Sequence, residues 1–351
     1  MGTTASRFAA IAVATLLAPV LAACGDQDRA AAPGSAAAAA RRESPLVVYS
    51  GRDETLIAPL LRNLERSTGG EVEVRYGDSA ELAAQLLEEG DSTRADLFLS
   101  QDAGALGALA QQGRLEPLPQ ESLDRVARPY RAEDGTWVGL SGRARVIAYN
   151  PDLTTKAPDS VRDLTGPQWR GKVGYAPTNA SFQAFVTGMR VLDGDEATRR
   201  WLEDFKANEP KAYEKNGAIL DAVDSGEIAL GLINHYYWFE KAAEVGAANM
   251  TAKLHFPAKG DPGALVNVAG VGVVKGSDQS AAARKAVDYL LSAEAQTYFA
   301  DQTKEYPLAA GVTSKVEGLP PLESLGAPKI DLGKLSSLRE TLAMLQETGM
   351  V

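Results

Sequence analysis

Between Leu46 and Ser100 the sequence switches repeatedly between the hydrophobic period of a strand and that of a helix, and this alternation restricts the fold more than any other feature. Leu46-Val-Val-Tyr49 is a short apolar run, Ser50-Gly-Arg-Asp53 is a turn, and Leu56, Ile57, Leu60, Leu61 and Leu64 share one helical face. Val72, Val74 and Tyr76 then alternate as a strand, Ser79 is placed to cap a helix carrying Leu82, Leu86 and Leu87, and Asp96-Leu-Phe-Leu-Ser100 reads as a third strand. Strand–helix units of this length build a mostly parallel sheet with helices on both faces, an α/β architecture. Ligands of such sheets sit beyond the carboxyl ends of the strands, which singles out residues 50–53 and 100–102.

The alternation restarts downstream. After the long extended stretch Trp137 to Tyr149 come the strand Lys172-Val-Gly-Tyr175, helices over 181–190 and 196–207, and a strand ending at Asn234. This predicts a second lobe. A further extended stretch, Ala264 to Val274, precedes an amphipathic helix over 280–291 that resembles the helices of the first lobe. Two extended crossovers, near 140–148 and 264–274, would form a hinge between the lobes. No repeat of solenoid period is visible.

The strand ending at Asn234 is an apolar run, Ile228-Ala-Leu-Gly-Leu-Ile, and it is followed at once by His235-Tyr-Tyr-Trp-Phe-Glu240. Two readings of Tyr236 and Tyr237 stand side by side. Phenol oxygen, with a reference pKa of about 10, ionises at neutral pH only beside a strong positive charge, and a hard trivalent metal such as ferric iron supplies one. The other reading is an aromatic patch that packs or stacks on an organic ligand.

At the N-terminus, Arg7 precedes the apolar run Phe8 to Val20 and then Leu21-Ala-Ala-Cys24. The run is short for a membrane span and ends in small residues, so residues 1–23 read as a signal peptide. Leu-Ala-Ala-Cys resembles the bacterial lipobox, which implies lipidation of Cys24. As the only cysteine, Cys24 has no disulfide partner within the chain. Residues 24–44, rich in alanine with Gly, Pro, Asp and Arg, read as a tether. Removing residues 1–23 takes away one cation and no acid, so the net charge of −10 becomes −11. Such a surface disfavours nucleic acid. The expected division is 45–143 with 269–313 as an N-terminal lobe and 144–268 with 314–351 as a C-terminal lobe.

From Leu46 to its C-terminus the chain resembles the ferric iron-binding periplasmic proteins of bacterial ABC importers, the bacterial transferrin-like family of type II solute-binding proteins. The resemblance is carried by Val48-Tyr-Ser-Gly51, Gln85-Leu-Leu-Glu-Glu-Gly-Asp91, Ala95-Asp-Leu-Phe98, Leu140-Ser-Gly-Arg-Ala-Arg-Val146, Trp169-Arg-Gly-Lys-Val-Gly-Tyr175, Ile233-Asn-His-Tyr-Tyr-Trp238, Asp261-Pro-Gly-Ala-Leu-Val266 and Glu305-Tyr-Pro-Leu308. It implies a two-lobed periplasmic-binding-protein clamp that closes on one Fe(III) ion and delivers it to an ABC permease. It implies Tyr236 and Tyr237 as metal ligands, with two more from the first lobe. Where relatives carry a histidine this chain has Asp53, and where they carry a glutamate it has Gln101. Charge is conserved by the exchange and every donor becomes an oxygen, as a hard cation prefers. Asp53 reads equally as a helix N-cap, and Gln101 as a loop residue.

The resemblance further implies a synergistic anion, carbonate or phosphate, at Asn179, Ala180, Ser181, Asn216 and Asn234, where a helix N-terminus offers amides. Ordinary helix capping is an equal reading of Asn179 and Asn216. Arg52, Arg143 and Arg145 are expected near the cleft, with Arg52 and Arg143 as the candidates for holding the anion, orienting a tyrosinate or pairing with carboxylates. The implied protein is an extracytoplasmic, membrane-anchored lipoprotein and a monomer. The competing binding function is a receptor for an organic or anionic solute in the same aromatic cleft. Gly166-Pro-Gln-Trp-Arg-Gly-Lys172 has the spacing of a phosphate loop, but Val173 replaces the hydroxyl that would hold magnesium. No nucleophile elbow or zinc-protease motif is present, which argues against an enzyme.

Overall fold

The computed structural model describes residues 44–351; the expected signal peptide, most of the tether and Cys24 lie outside the described residues. The chain opens with β1 (Leu46–Ser50), α1 (Glu54–Thr68), β2 (Val72–Tyr76), α2 (Ser79–Glu89), β3 (Leu97–Ser100) and α3 (Ala103–Gln111). A short α4 (Gln120–Leu123) leads to the long β4 (Val138–Tyr149). Then follow β5 (Val173–Tyr175), α5 (Ala180–Asp193), α6 (Asp195–Ala207), β6 (Lys211–Ala212), α7 (Asn216–Asp224), β7 (Leu230–Asn234), α8 (Tyr236–Val245) and β8 (Lys253–His255). The remainder is β9 (Val266–Val273), α9 (Ser280–Leu290), α10 (Ala293–Gln302), β10 (Tyr306–Pro307) and α11 (Leu338–Glu347).

The strands hydrogen-bond in the order β2-β1-β3-β9-β4-β7-β5-β6, with β8 and β10 on β4. β2, β1 and β3 are parallel, as the spacing of the βα units predicts, and so are β7, β5 and β6. Between these parallel blocks lie the antiparallel β9 and β4. β4 serves both halves. Its residues Val138 to Ala144 pair with β9, and Arg145 to Tyr149 pair with β7. The strand therefore changes partner between Ala144 and Arg145, inside the stretch expected to be a hinge.

Each half has its own apolar core. Ile57, Leu60, Leu61 and Leu64 of α1 join Phe98, Trp137 and Phe299 in the first, and full burial of each such side chain contributes about 2 kcal/mol before entropy is counted. The second half packs Phe182, Phe185, Trp201 and Phe205 on one face of β5 and β7, with Trp201 and Phe205 stacked at 4.8 Å, and Ile219, Val223 and Ile233 on the other. The C-terminal segment touches both cores: Leu332 and Leu335 enter the first, Met344 and Leu345 the second.

Two local expectations change. Asp78, not Ser79, caps α2, because its carboxylate accepts the Ala80 and Glu81 amides, and Leu87 is exposed. Ser79 is thereby free to accept the Gln101 amide at 2.9 Å, tying the start of α2 to the loop after β3. Gly51 permits this approach, since a Cβ there would collide with Ser79 Oγ.

Candidate metal centre

β7 ends at Asn234, and after His235 the two phenols are the first residues of α8. Their rings stack with centroids 4.3 Å apart and planes inclined by 27°. Tyr236 is buried and Tyr237 half-buried. Burial, and after it the neighbouring Tyr237, pushes the Tyr236 phenol well above its ordinary pKa, while the positive charge of Arg143 pulls the other way. Burial outweighs that pull, so the phenol keeps its proton at neutral pH.

Arg143 and Arg145 leave β4 beside this pair. Arg145 is 3% exposed and donates from Nη1 to Ser181 Oγ at 3.1 Å and from Nη2 to the Leu232 carbonyl at 3.2 Å. Its guanidinium lies over Phe182 and Phe185. Burial pulls it down to about 9 and the Tyr237 oxygen pushes it back, so it stays charged at neutral pH. Arg143 donates to the Gln101 carbonyl. The Nε atoms of both arginines are buried without a partner. Together with Ser181, Phe185, Asn234 and Asn267 they line a cavity of about 20 Å³, room for one water-sized group.

Around Ser181 the predicted anion residues do come together. Asn179 caps α5 through Oδ1, which accepts the Ser181 amide at 3.0 Å and its hydroxyl at 2.7 Å. Asn216 donates from Nδ2 to Asn179 Oδ1 at 3.2 Å and to Ser181 Oγ at 3.0 Å, and its own Oδ1 is buried without a partner. The Phe182 and Gln183 amides bond to the Asn179 carbonyl. Capping thus uses most of the helix's free donors, and Ala180 follows directly after the cap. Asn234 reaches the group only through the cavity wall it shares with Ser181.

On the other side, Asp53 caps α1: Oδ1 accepts the Thr55 amide at 2.8 Å and its hydroxyl at 2.5 Å. Hydrogen bonding from Thr55 holds its carboxyl below the ordinary value against a small cost of burial. Among the described residues no hydrogen bond or ion pair joins Asp53 to the tyrosines. Gln101 is brought near them through its backbone, by way of Arg143. Arg52, fully buried, pairs with Glu305 at 3.0 Å instead of facing the cleft. Burial raises the Glu305 carboxyl, but Arg52, Arg143 and the Ser141 hydroxyl together hold it below its usual range.

Sequence reasoning passed over several groups. Arg145 was expected near the cleft with no partner named, and it donates to Ser181 within electrostatic reach of Tyr237. Glu305 stands in one of the runs that carry the resemblance but was given no role, and Glu240 was given none either. Glu240, on α8, is pushed up to about 7 by burial and by Glu305, with Lys304 and Arg52 opposing. His235 points away from the tyrosine oxygens, toward β4 and Lys304, and His255 faces Asp159 at 3.1 Å. Among the described residues no three His, Cys, Asp or Glu side chains are grouped to hold a metal.

Comparison with known proteins bears on this geometry. The family pattern described as bacterial extracellular solute-binding protein matches residues 92–331. The Fe(3+)-binding periplasmic protein of Serratia marcescens is 32% identical over 318 residues, which span 90% of this chain and 93% of that protein. The structure of iron-bound HitA from Pseudomonas aeruginosa superposes with a TM-score of 0.80 at 33% identity, covering 88% of this chain and all of that one. A Trichodesmium protein (IdiA, FutA) in complex with iron and citrate gives a TM-score of 0.74 at 26% identity, over 87% of this chain and 99% of its own.

Proposed function

The chain belongs to the bacterial extracellular solute-binding proteins, here related to ferric iron carriers rather than to enzymes, and on that premise we propose that it captures Fe(III) between its lobes and hands it to an ABC permease. The observation that carries the reading is the stacked phenol pair at the start of α8, flanked by two buried arginines that make no ion pair among the described residues. In the mechanism, Fe(III) displaces the phenolic protons of Tyr236 and Tyr237. Asp53, whose capping bonds both fall on Oδ1, and Gln101 supply the first-lobe side.

Charge explains why an anion belongs to the site. Two tyrosinates and one aspartate neutralise a trivalent ion, and Arg143 and Arg145 then leave a positive wall. Carbonate or phosphate on Arg145, Ser181, Asn216 and the Ala180 end of α5 balances it, and the unpartnered arginine Nε–H groups are donors awaiting an acceptor. Citrate in the Trichodesmium relative's complex supports an anionic companion. Closure is a shift of population toward the state that completes the coordination shell. Release follows loss of the anion or reprotonation of the phenols when the protein docks on its permease. The lipobox-like Cys24 supports a lipid-anchored, extracytoplasmic monomer.

Equilibrium dialysis against limiting Fe(III) with bicarbonate, phosphate or neither tests the anion. One iron per chain, retained well only when an anion is present, is expected. Equal retention in its absence contradicts the charge argument.

A further inference from the structure

His235 is fully buried and directly precedes Tyr236, yet metal binding makes no use of its ring. Its backbone N–H donates to the Ala144 carbonyl at 3.0 Å, and its Nδ1 accepts the Ala144 N–H at 3.1 Å. An imidazole that accepts at Nδ1 carries its proton on Nε2, and Nε2 lies 3.0 Å from the Lys304 carbonyl, so that bond is a donation. Ala144 is the last β4 residue paired with β9, and the next residue, Arg145, is the first paired with β7. The ring is therefore pinned where the shared strand passes from one half to the other. Tyr306, which pairs with Gly142, packs on its face at 4.8 Å.

Lys304 presents its carbonyl from a left-handed backbone, φ 53°, a conformation that a side chain other than glycine keeps only where the surroundings impose it. The next residue is Glu305, 1% exposed, which accepts from Arg52 Nη1 at 3.0 and 3.1 Å and from the Ser141 hydroxyl. Arg52 adjoins Asp53. A path thus runs from Tyr236 through the buried His235, the Lys304 carbonyl and the buried Glu305–Arg52 pair to the exposed Asp53, joining the two sides of the cleft around the pivot and not across it.

We propose that the His235–Lys304 hydrogen bond and the Glu305–Arg52 ion pair form one positioning network, which couples the seating of the tyrosine pair to the placement of the loop after β1. The inference rests on the ferric reading above and adds that the two halves of the ligand set are held in register before metal arrives. Buried bonds of this kind have discrete arrangements, so a break at one point frees both ends and a second break adds little. Two separate stabilising contacts would instead act independently.

The test measures iron loss to an excess chelator from the loaded full chain, with thermal unfolding recorded for each variant. His235→Asn keeps an acceptor for Ala144 but is too short to reach Lys304, whereas His235→Gln keeps a donor at the reach of Nε2. His235→Asn and Glu305→Gln are each expected to speed release about tenfold, the double variant no more than either alone, and His235→Gln to stay within about twofold of the wild type. If Glu305→Gln does not fold, Ser141→Ala, which removes one donor from the same carboxylate, takes its place. Multiplying effects in the double variant, or equal behaviour of the Asn and Gln variants, overturn the network. A wild-type protein that takes up no iron overturns the ferric reading and this inference with it, and that result is distinct from iron uptake without coupling.

Discussion

A phenol becomes a ligand by giving up its proton, and the Tyr236 environment resists that until a cation arrives, because burial and Tyr237 both favour the neutral form. The cost selects for an ion of high charge, since only a strong field repays it. Asp53 raises a different question at this scale, because it caps α1 and the proposed site asks the same carboxylate to face a metal. Asp53→Asn keeps an oxygen for the Thr55 amide and removes the charge; Asp53→Ala removes both. The Asn variant is expected to unfold within a degree or two of the wild type while holding iron about tenfold more weakly, and the Ala variant to lose in addition about 1 kcal/mol of stability. Unchanged iron affinity in both, measured by chelator competition, would leave Asp53 as a cap alone. The phenol pair was legible in sequence because two adjacent tyrosines after an apolar strand break the expected pattern. The place of Arg145 near the cleft was legible too, but its partners were not, since nothing in the order of residues says that an arginine within an apolar strand has no acid to face. The pairing of Glu305 lay hidden for a similar reason: its partner is 253 positions away.

At the scale of elements, the site is assembled by strand ends and helix starts. The loops after β1 and β3 are tied by Ser79, which stands at the head of α2 against Gly51. Periodicity made these elements readable, with boundaries off by up to three residues, because apolar spacing reports which face is buried. It did not report that Asp78 would cap α2, since Asp78 and Ser79 are both good capping residues and only the backbone path decides between them. Gly51→Ala pushes Ser79 aside and, with it, the Gln101 amide. A stability loss of about 1–3 kcal/mol is expected by denaturant unfolding, together with faster iron loss to a chelator. Wild-type values in both measurements would mean that the close approach of β1 to α2 does not shape the site.

The whole molecule is two cores sharing β4, and the segment after α10 meets α8 beside that strand. Glu240 reports on this junction, since it faces Glu305, Lys304 and Arg52 together. Its carboxyl is raised to about 7 from 4.5, so the fold favours the protonated form. The stability this contributes is complete below the unfolded value and is lost as pH rises through 7. Allowing for solvent screening of a half-buried group, about 1–2 kcal/mol should disappear between pH 4.5 and 7.5 in the iron-free protein. Glu240→Gln should remove that slope from the pH dependence of the unfolding midpoint, and an unaltered slope would assign it elsewhere. The two-lobed plan was visible in sequence because alternating βα units recur on either side of long extended stretches. The contacts at the pivot were not, because they join residues that are distant in the chain and individually unremarkable.

The central claim is that Tyr236 and Tyr237 bind ferric iron as phenolates, and the visible absorption of the purified protein titrated with Fe(III) citrate, beside Tyr236→Phe and Tyr237→Phe, tests it most directly. A phenolate-to-iron charge-transfer band that saturates at one iron per chain and weakens in both variants is the predicted result. A wild-type protein that stays colourless, or a band that neither substitution changes, would contradict it.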